Sequence, residues 1–192
     1  MKKQMEAKDL ITAGIFTAIY FAVFFIFGML GYIPMVYALL TLIIPIACGV
    51  PYMLFLTKVK CFGMATVMSV LCGGLMVLTG HTVTPLITAA VFGLLADLIF
   101  MAGKYASKKC SVIGYSVFSL WIMGMMLPFW IMRDTFETMM LNSMGADYTA
   151  ATIGIFDKVA LLFPLMCIIG GVIGAFFGLA VLKRHFKKAG IA

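Results

Sequence analysis

The residues best equipped for chemistry stand together at Thr79, His81, Thr82 and Thr84, gathered around Gly80 in the stretch VLTGHTVTPL. Hydroxyl and imidazole groups both donate and accept hydrogen bonds, which suits them to hold a small molecule. A second polar stretch runs from Arg133 to about Ile155 and contains Asp134, Glu137, Asn142, Asp147 and Tyr148, with Trp130 before it and Asp157 after it. Its FETMMLNSM core has the spacing of a short interfacial helix, with Phe136, Met139, Met140 and Met144 on the apolar side. A connection of this length in a compact protein points to a lid, a binding loop or disorder. Thr79, His81, Thr82, Thr84, Trp130, Arg133, Asn142 and Asp157 are the candidate substrate-binding residues. The competing reading is that each merely wets a membrane surface. The charge of the ligand stays open. His81, Arg133 and the threonines suit an anionic or heteroaromatic molecule, whereas Asp134, Glu137 and Asp147 suit a cation.

Catalysis is not expected. The only other histidine, His185, lies far along the chain, and no H-E-x-x-H or G-x-S-x-G motif is present. A rhomboid-like serine protease also has six spans, but Ser69 and Ser119 have neither the glycine-flanked loop nor the histidine partner it needs. The five cysteines (Cys48, Cys61, Cys72, Cys110, Cys167) are scattered without a C-x-x-C pair. They read as reduced packing residues, supporting neither a disulfide frame nor a metal site.

These candidates need a scaffold, and composition says which. Of 192 residues, 64% are hydrophobic and 11% charged, with a mean hydropathy of +1.15. A soluble domain could not hide that much apolar surface, so lipid must be the solvent. Without water, unpaired backbone groups cannot be tolerated, which makes the spans helical. The fold class is therefore an all-α integral membrane protein with six transmembrane helices in one domain over residues 1–192. The spans are expected at about 10–31, 35–57, 62–79, 84–103, 111–132 and 156–182, with an outward loop at 133–155. The basic N-terminus resembles a signal-peptide start, but about 22 apolar residues without a clear cleavage site read as an uncleaved first span. Pro45 and Pro51 should kink the second span or delay its start.

Placing the N-terminus in the cytoplasm puts 12 of the 14 Lys and Arg inside: Lys2, Lys3, Lys8, Lys58, Lys60, Lys104, Lys108, Lys109, Lys183, Arg184, Lys187 and Lys188. Only Arg133 and Lys158 fall outside, as the positive-inside rule requires. The net charge of +7 is thus a topology signal, since a nucleic-acid patch would not alternate with spans. Both termini are then cytoplasmic, and the His81 corner faces out. Asp97 is the one carboxylate within a span, seven residues from Lys104 on the same face, so it should make a structural or partner contact or turn to cytoplasmic water. Proton coupling through this lone acid is the weaker alternative.

Two stripes of small residues permit close helix approach. Gly170, Gly174 and Gly178 in the last span suit internal packing, and Gly14, Ala18 and Ala22 in the first suit internal packing or an external helical partner.

Six spans, both ends inside, Ala18-Ile-Tyr-Phe-Ala22 in the first helix and a ligand-like outer face resemble the substrate-binding subunit, or S-component, of an energy-coupling factor transporter. The stretches KDLITAGIFTAIYFAVFF and GVPYMLFLTKVKCFG resemble in particular the S-component-like Trep_Strep group, along essentially the whole chain. The resemblance implies capture of a vitamin or other micronutrient at the outer face of a bacterial cell membrane. The family's ligand site uses the loops after spans one, three and five and the start of span six. It implies docking of a membrane coupling subunit on Ala18 and Ala22, extended by Gly14 where the simplest pattern has alanine, followed by toppling in the bilayer. Two ATPase subunits would drive the cycle, because this chain carries no G-x-x-x-x-G-K-[ST] and so binds no ATP. The alternatives are a stand-alone small-solute channel or facilitator and, last, an intramembrane enzyme. No inverted repeat of the kind secondary carriers show is visible.

Overall fold

The computed structural model describes residues 5–58 and 61–186, the side chains of 185 and 186 excepted. Lys2, Lys3, Lys60, Lys187, Lys188 and the His185 side chain therefore lie outside the described residues. The described chain is helical, with ten α-helices: α1 (Ala7–Gly28), α2 (Pro34–Lys58), α3 (Met64–Leu78), α4 (Thr84–Ala102), α5 (Lys108–Ser119), α6 (Met123–Met126), α7 (Pro128–Ile131), α8 (Arg133–Met144), α9 (Ala146–Val159) and α10 (Phe163–Val181). Five helical stretches are long and apolar enough to cross a membrane: Ala7–Tyr32, Pro34–Lys58, Thr84–Ala102, Lys108–Met126 and Ala146–Arg184. The remaining apolar helix, α3, has 15 residues, about 22 Å at the standard rise.

Six elements close a ring: α1 packs on α2 and α3, α2 on α10, α10 on α5, α5 on α4, and α4 on α3. The α2–α10 seam is the tightest. A Cβ at Gly174 would lie 2.2 Å from the Pro45 carbonyl oxygen, one at Gly170 2.5 Å from that of Leu42, and one at Gly178 2.5 Å from that of Gly49. Only glycine allows backbones this close, and in lipid such packing replaces the hydrophobic effect as the force between helices. Both prolines stand inside a continuous α2 that starts at Pro34, so the helix does not begin late.

Tyr20, Tyr52, Tyr115, Phe118 and Trp121 fill the middle of the ring, each fully buried. The Tyr52 ring lies 4.3 Å from Phe118 and 4.6 Å from Tyr115, and Trp121 Nε1 donates to the Tyr20 hydroxyl at 3.2 Å.

Asp97 does not face water. It is 1% exposed and accepts hydrogen bonds from Ala65 N (3.2 Å), Thr66 N (2.8 Å) and Thr66 Oγ1 (2.6 Å). The carboxylate on α4 thus caps the N-terminus of α3, where unpaired amides and the helix dipole both favour an anion.

The segment expected as a loop at 133–155 is a helical hairpin, α8 and α9, turning at Gly145 with φ +86°. Phe136 and Met140 bury one face of α8, and Thr149, Thr152 and Phe156 one face of α9. These spacings of three and four are those of one helix face. Helix α9 runs into α10 through a 3-10 turn, Ala160–Leu162.

Gly174→Ala should destabilise the purified protein by about 1–3 kcal/mol, read as a lower Tm in detergent. Gly14→Ala, whose Cβ meets nothing within 4 Å, should leave Tm unchanged. Asp97→Ala should also lower Tm, through a stability loss of about 1–3 kcal/mol for the amides it orphans.

Candidate ligand cavity

Helix α3 ends in a Schellman turn. The amide of His81 bonds to the Met76 carbonyl (3.2 Å) and that of Gly80 to the Val77 carbonyl (3.1 Å), with Gly80 at φ +96°. A glycine in the left-handed region makes this stop, and the next residue, His81, is turned across the end of the bundle. Beside it, Pro128 has no amide hydrogen to give the carbonyl four residues back, that of Gly124. Thr84 Oγ1 donates to that carbonyl instead, at 2.6 Å. Thr88 Oγ1 similarly donates to the Trp121 carbonyl at 2.8 Å, where the helix tightens into a 3-10 turn at Leu120–Ile122. The broken helix therefore stays paired and can line a cavity rather than face lipid.

That cavity has a volume of about 420 Å³, within the usual range for small-molecule sites. Its floor is buried Phe24, Ile44, Met76, Ile122 and Met126, above the Trp121–Tyr20 plug. Its rim includes exposed Tyr32, Thr79, His81, Ser143 and Met144. The cavity lies at the α1 C-terminal and α3 C-terminal end of the ring, away from Lys8, Lys58, Lys104, Lys108 and Lys109.

Seven methionines and six phenylalanine or tyrosine rings form most of the wall. Among the described residues no Asp, Glu, Lys or Arg lines it. Such a lining suits an apolar, polarisable molecule held by sulfur and ring contacts. His81 fits this neutral setting. Partial desolvation pushes its pKa below the usual imidazole value, against the opposing pull of the Met76 carbonyl. The neutral form therefore predominates at neutral pH.

Of the candidate residues named from sequence, Thr79, His81 and Thr82 line the cavity. Thr84 stands just behind Thr82, 2.5 Å away by hydroxyl oxygens, buried and bonded to Gly124. Trp130 stacks edge-on against Phe163 (6.1 Å), outside the lining. Arg133 is fully engaged elsewhere. Its Nε donates to Glu137 (2.8 Å), its Nη1 and Nη2 to Asp157 (2.7 and 3.1 Å), and its guanidinium lies 4.8 Å over the Phe129 ring. Arg133 and Asp157 thus tie the start of α8 to α9, and neither they nor exposed Asn142 line the cavity. Such exposed pairs add little stability but fix geometry. The in-span walls, Phe24, Tyr37, Leu40, Ile44, Met76 and Met125, were not singled out from sequence. Tyr148 on α9 donates to the Gly31 carbonyl, linking the hairpin to the α1–α2 turn.

A family model described as "Hypothetical bacterial integral membrane protein (Trep_Strep)" matches residues 7–188. No curated protein and no solved structure shows a significant match.

The lowered His81 pKa has a stability consequence. The unfolded chain binds the proton first as pH falls, so folding stability is full above about pH 6.5 and declines as pH drops through the folded pKa. Tm should therefore hold between about pH 8 and pH 7 and fall towards pH 5, more steeply in wild type than in His81→Gln. Equal slopes would show that His81 contributes none of it.

Proposed function

The chain belongs to the Trep_Strep family of bacterial integral membrane proteins, and on that premise we propose that it is the substrate-binding subunit of an energy-coupling factor importer. The observation that carries this reading is the shape of the cavity. It is open at a rim of exposed residues and stopped below by Trp121, Tyr20 and Phe118. A pocket with a floor binds and holds, whereas an open channel needs a continuous path, and packed rings occupy that path here.

In this reading α3 is the sixth, short crossing. It runs beside α4 from the Asp97 cap at one end to Pro85 and Leu86 against Gly73 at the other. Six crossings bring both termini to the lysine-bearing end, which the positive-inside rule assigns to the cytoplasm. The cavity then faces outward and captures a small, vitamin-like micronutrient.

Gly14, Ala18 and Ala22 all lie exposed on α1, while Ala13, Thr17, Tyr20 and Phe24 on the opposite face enter the ring. The smooth outer face would dock the membrane coupling subunit, and two ATPase subunits would bind ATP and drive transport. The glycines of α10, by contrast, are consumed within the bundle. Ligand capture and coupling thus use separate surfaces.

Ala18→Trp or Ala22→Trp should cut uptake at least about tenfold while leaving ligand affinity within about twofold. Co-purification with a coupling protein and two ATPases should be lost in parallel. Solute flux through liposomes holding this chain alone would contradict the proposal.

A further inference from the structure

The hydrogen bonds around the cavity determine which of its polar groups still have a proton to offer. Thr84 has one hydroxyl proton and donates it to the Gly124 carbonyl. In the 2.5 Å pair with Thr84 it is therefore Thr82 that donates. Thr79 donates to the Met76 carbonyl at 2.8 Å. The 3.3 Å contact between Thr79 Oγ1 and His81 Nδ1 is then a donation from Nδ1–H. In the neutral imidazole this leaves Nε2 unprotonated, an acceptor. Ser143 donates to the Met139 carbonyl at 2.8 Å, and Tyr148 to that of Gly31. Each of these lining groups keeps only lone pairs for a guest.

A corner whose side chains offer only lone pairs disfavours an anion, because each of those side chains presents the negative end of its dipole. A cation gains dipole contacts there, but among the described residues no carboxylate lines the wall to offset its desolvation. A neutral molecule with N–H or O–H groups exchanges its hydrogen bonds to water for bonds to these acceptors, with no charge to desolvate. The phenols of Tyr32 and Tyr37, on the α1–α2 side, remain free to donate and suit an acceptor at the guest's other end. The methionine and aromatic walls between them favour a ring system.

We propose that the cavity selects an uncharged, ring-bearing molecule that donates N–H or O–H hydrogen bonds to the Thr79–His81–Thr82 corner. This rests on the ligand-binding reading above and adds the chemical class of the ligand. The described lysines and the Arg133 ion pairs play no part in recognition, since none of them reaches the cavity wall.

Four naphthalene probes of one size separate the terms: 2-naphthol (neutral donor), 2-methoxynaphthalene (donor removed), 2-naphthoate (anion) and 2-naphthylmethylammonium (cation). Titration calorimetry on the purified full chain at neutral pH should rank 2-naphthol first, about tenfold over its methyl ether, with both ions weaker. His81→Phe should erase the difference between naphthol and ether, and His81→Gln, which keeps a carbonyl acceptor, should restore most of it. First place for either ion, equal binding of naphthol and ether, or binding by no probe would overturn the proposal. These readouts need no partner subunit. The predicted ranking together with partner-free flux would leave the ligand class standing and remove only the importer reading.

Discussion

The α2–α10 seam is built on glycines packed directly against backbone carbonyls. Hydrocarbon gives apolar side chains no reason to prefer each other over lipid, so helix association rests on packing at short range. Gly170, Gly174 and Gly178 bring α10 against Leu42, Pro45 and Gly49 at distances no other residue permits. Two consequences follow. The Tyr115 hydroxyl reaches the Pro45 carbonyl at 2.6 Å, which draws α5 and its aromatic neighbours into the centre of the ring. And because α9 continues into α10, the seam also sets where the α8–α9 hairpin lies over the open end. The floor and the cover of the cavity share one origin.

Charge is distributed to keep the cavity neutral. Asp97 is used at the α3 N-terminus, and Arg133 is neutralised by Glu137 and Asp157 on the hairpin. What remains at the cavity is a set of hydroxyls, one uncharged imidazole, thioethers and rings. The interruptions of the helical stretch from α5 to α7 at Leu120–Ile122 and Pro128 are what let Met125 and Met126 reach that wall. Thr84 and Thr88 make these interruptions tolerable by donating to the carbonyls they expose.

Sequence carried the all-helical, membrane-embedded class, because composition alone dictates the solvent. It also carried the Gly80 turn with Thr79, His81 and Thr82, since polar residues stand out against an apolar chain. It did not separate Phe24, Tyr37, Met76 or Met125 from their lipid-facing neighbours. Where both sides of a helix are apolar, hydrophobic periodicity no longer marks the inside. Nor could it pair Arg133 with Asp157, 24 residues apart, or Asp97 with the amides of Ala65 and Thr66. Those depend on which helices become neighbours. The second hairpin helix had a visible signature in Thr149, Thr152 and Phe156, but the polar residues around it read as a loop.

The proposed role requires that the dead-end cavity face outward. Ser143, on the rim, is the place to test it, in a chain whose partly exposed Cys110 near the lysine-rich end is replaced by serine. In intact cells a membrane-impermeant maleimide should label Ser143→Cys, and should fail to label native Cys110 in a parallel chain. Labelling of Cys110 with protection of position 143 would put the cavity on the cytoplasmic side and contradict the account.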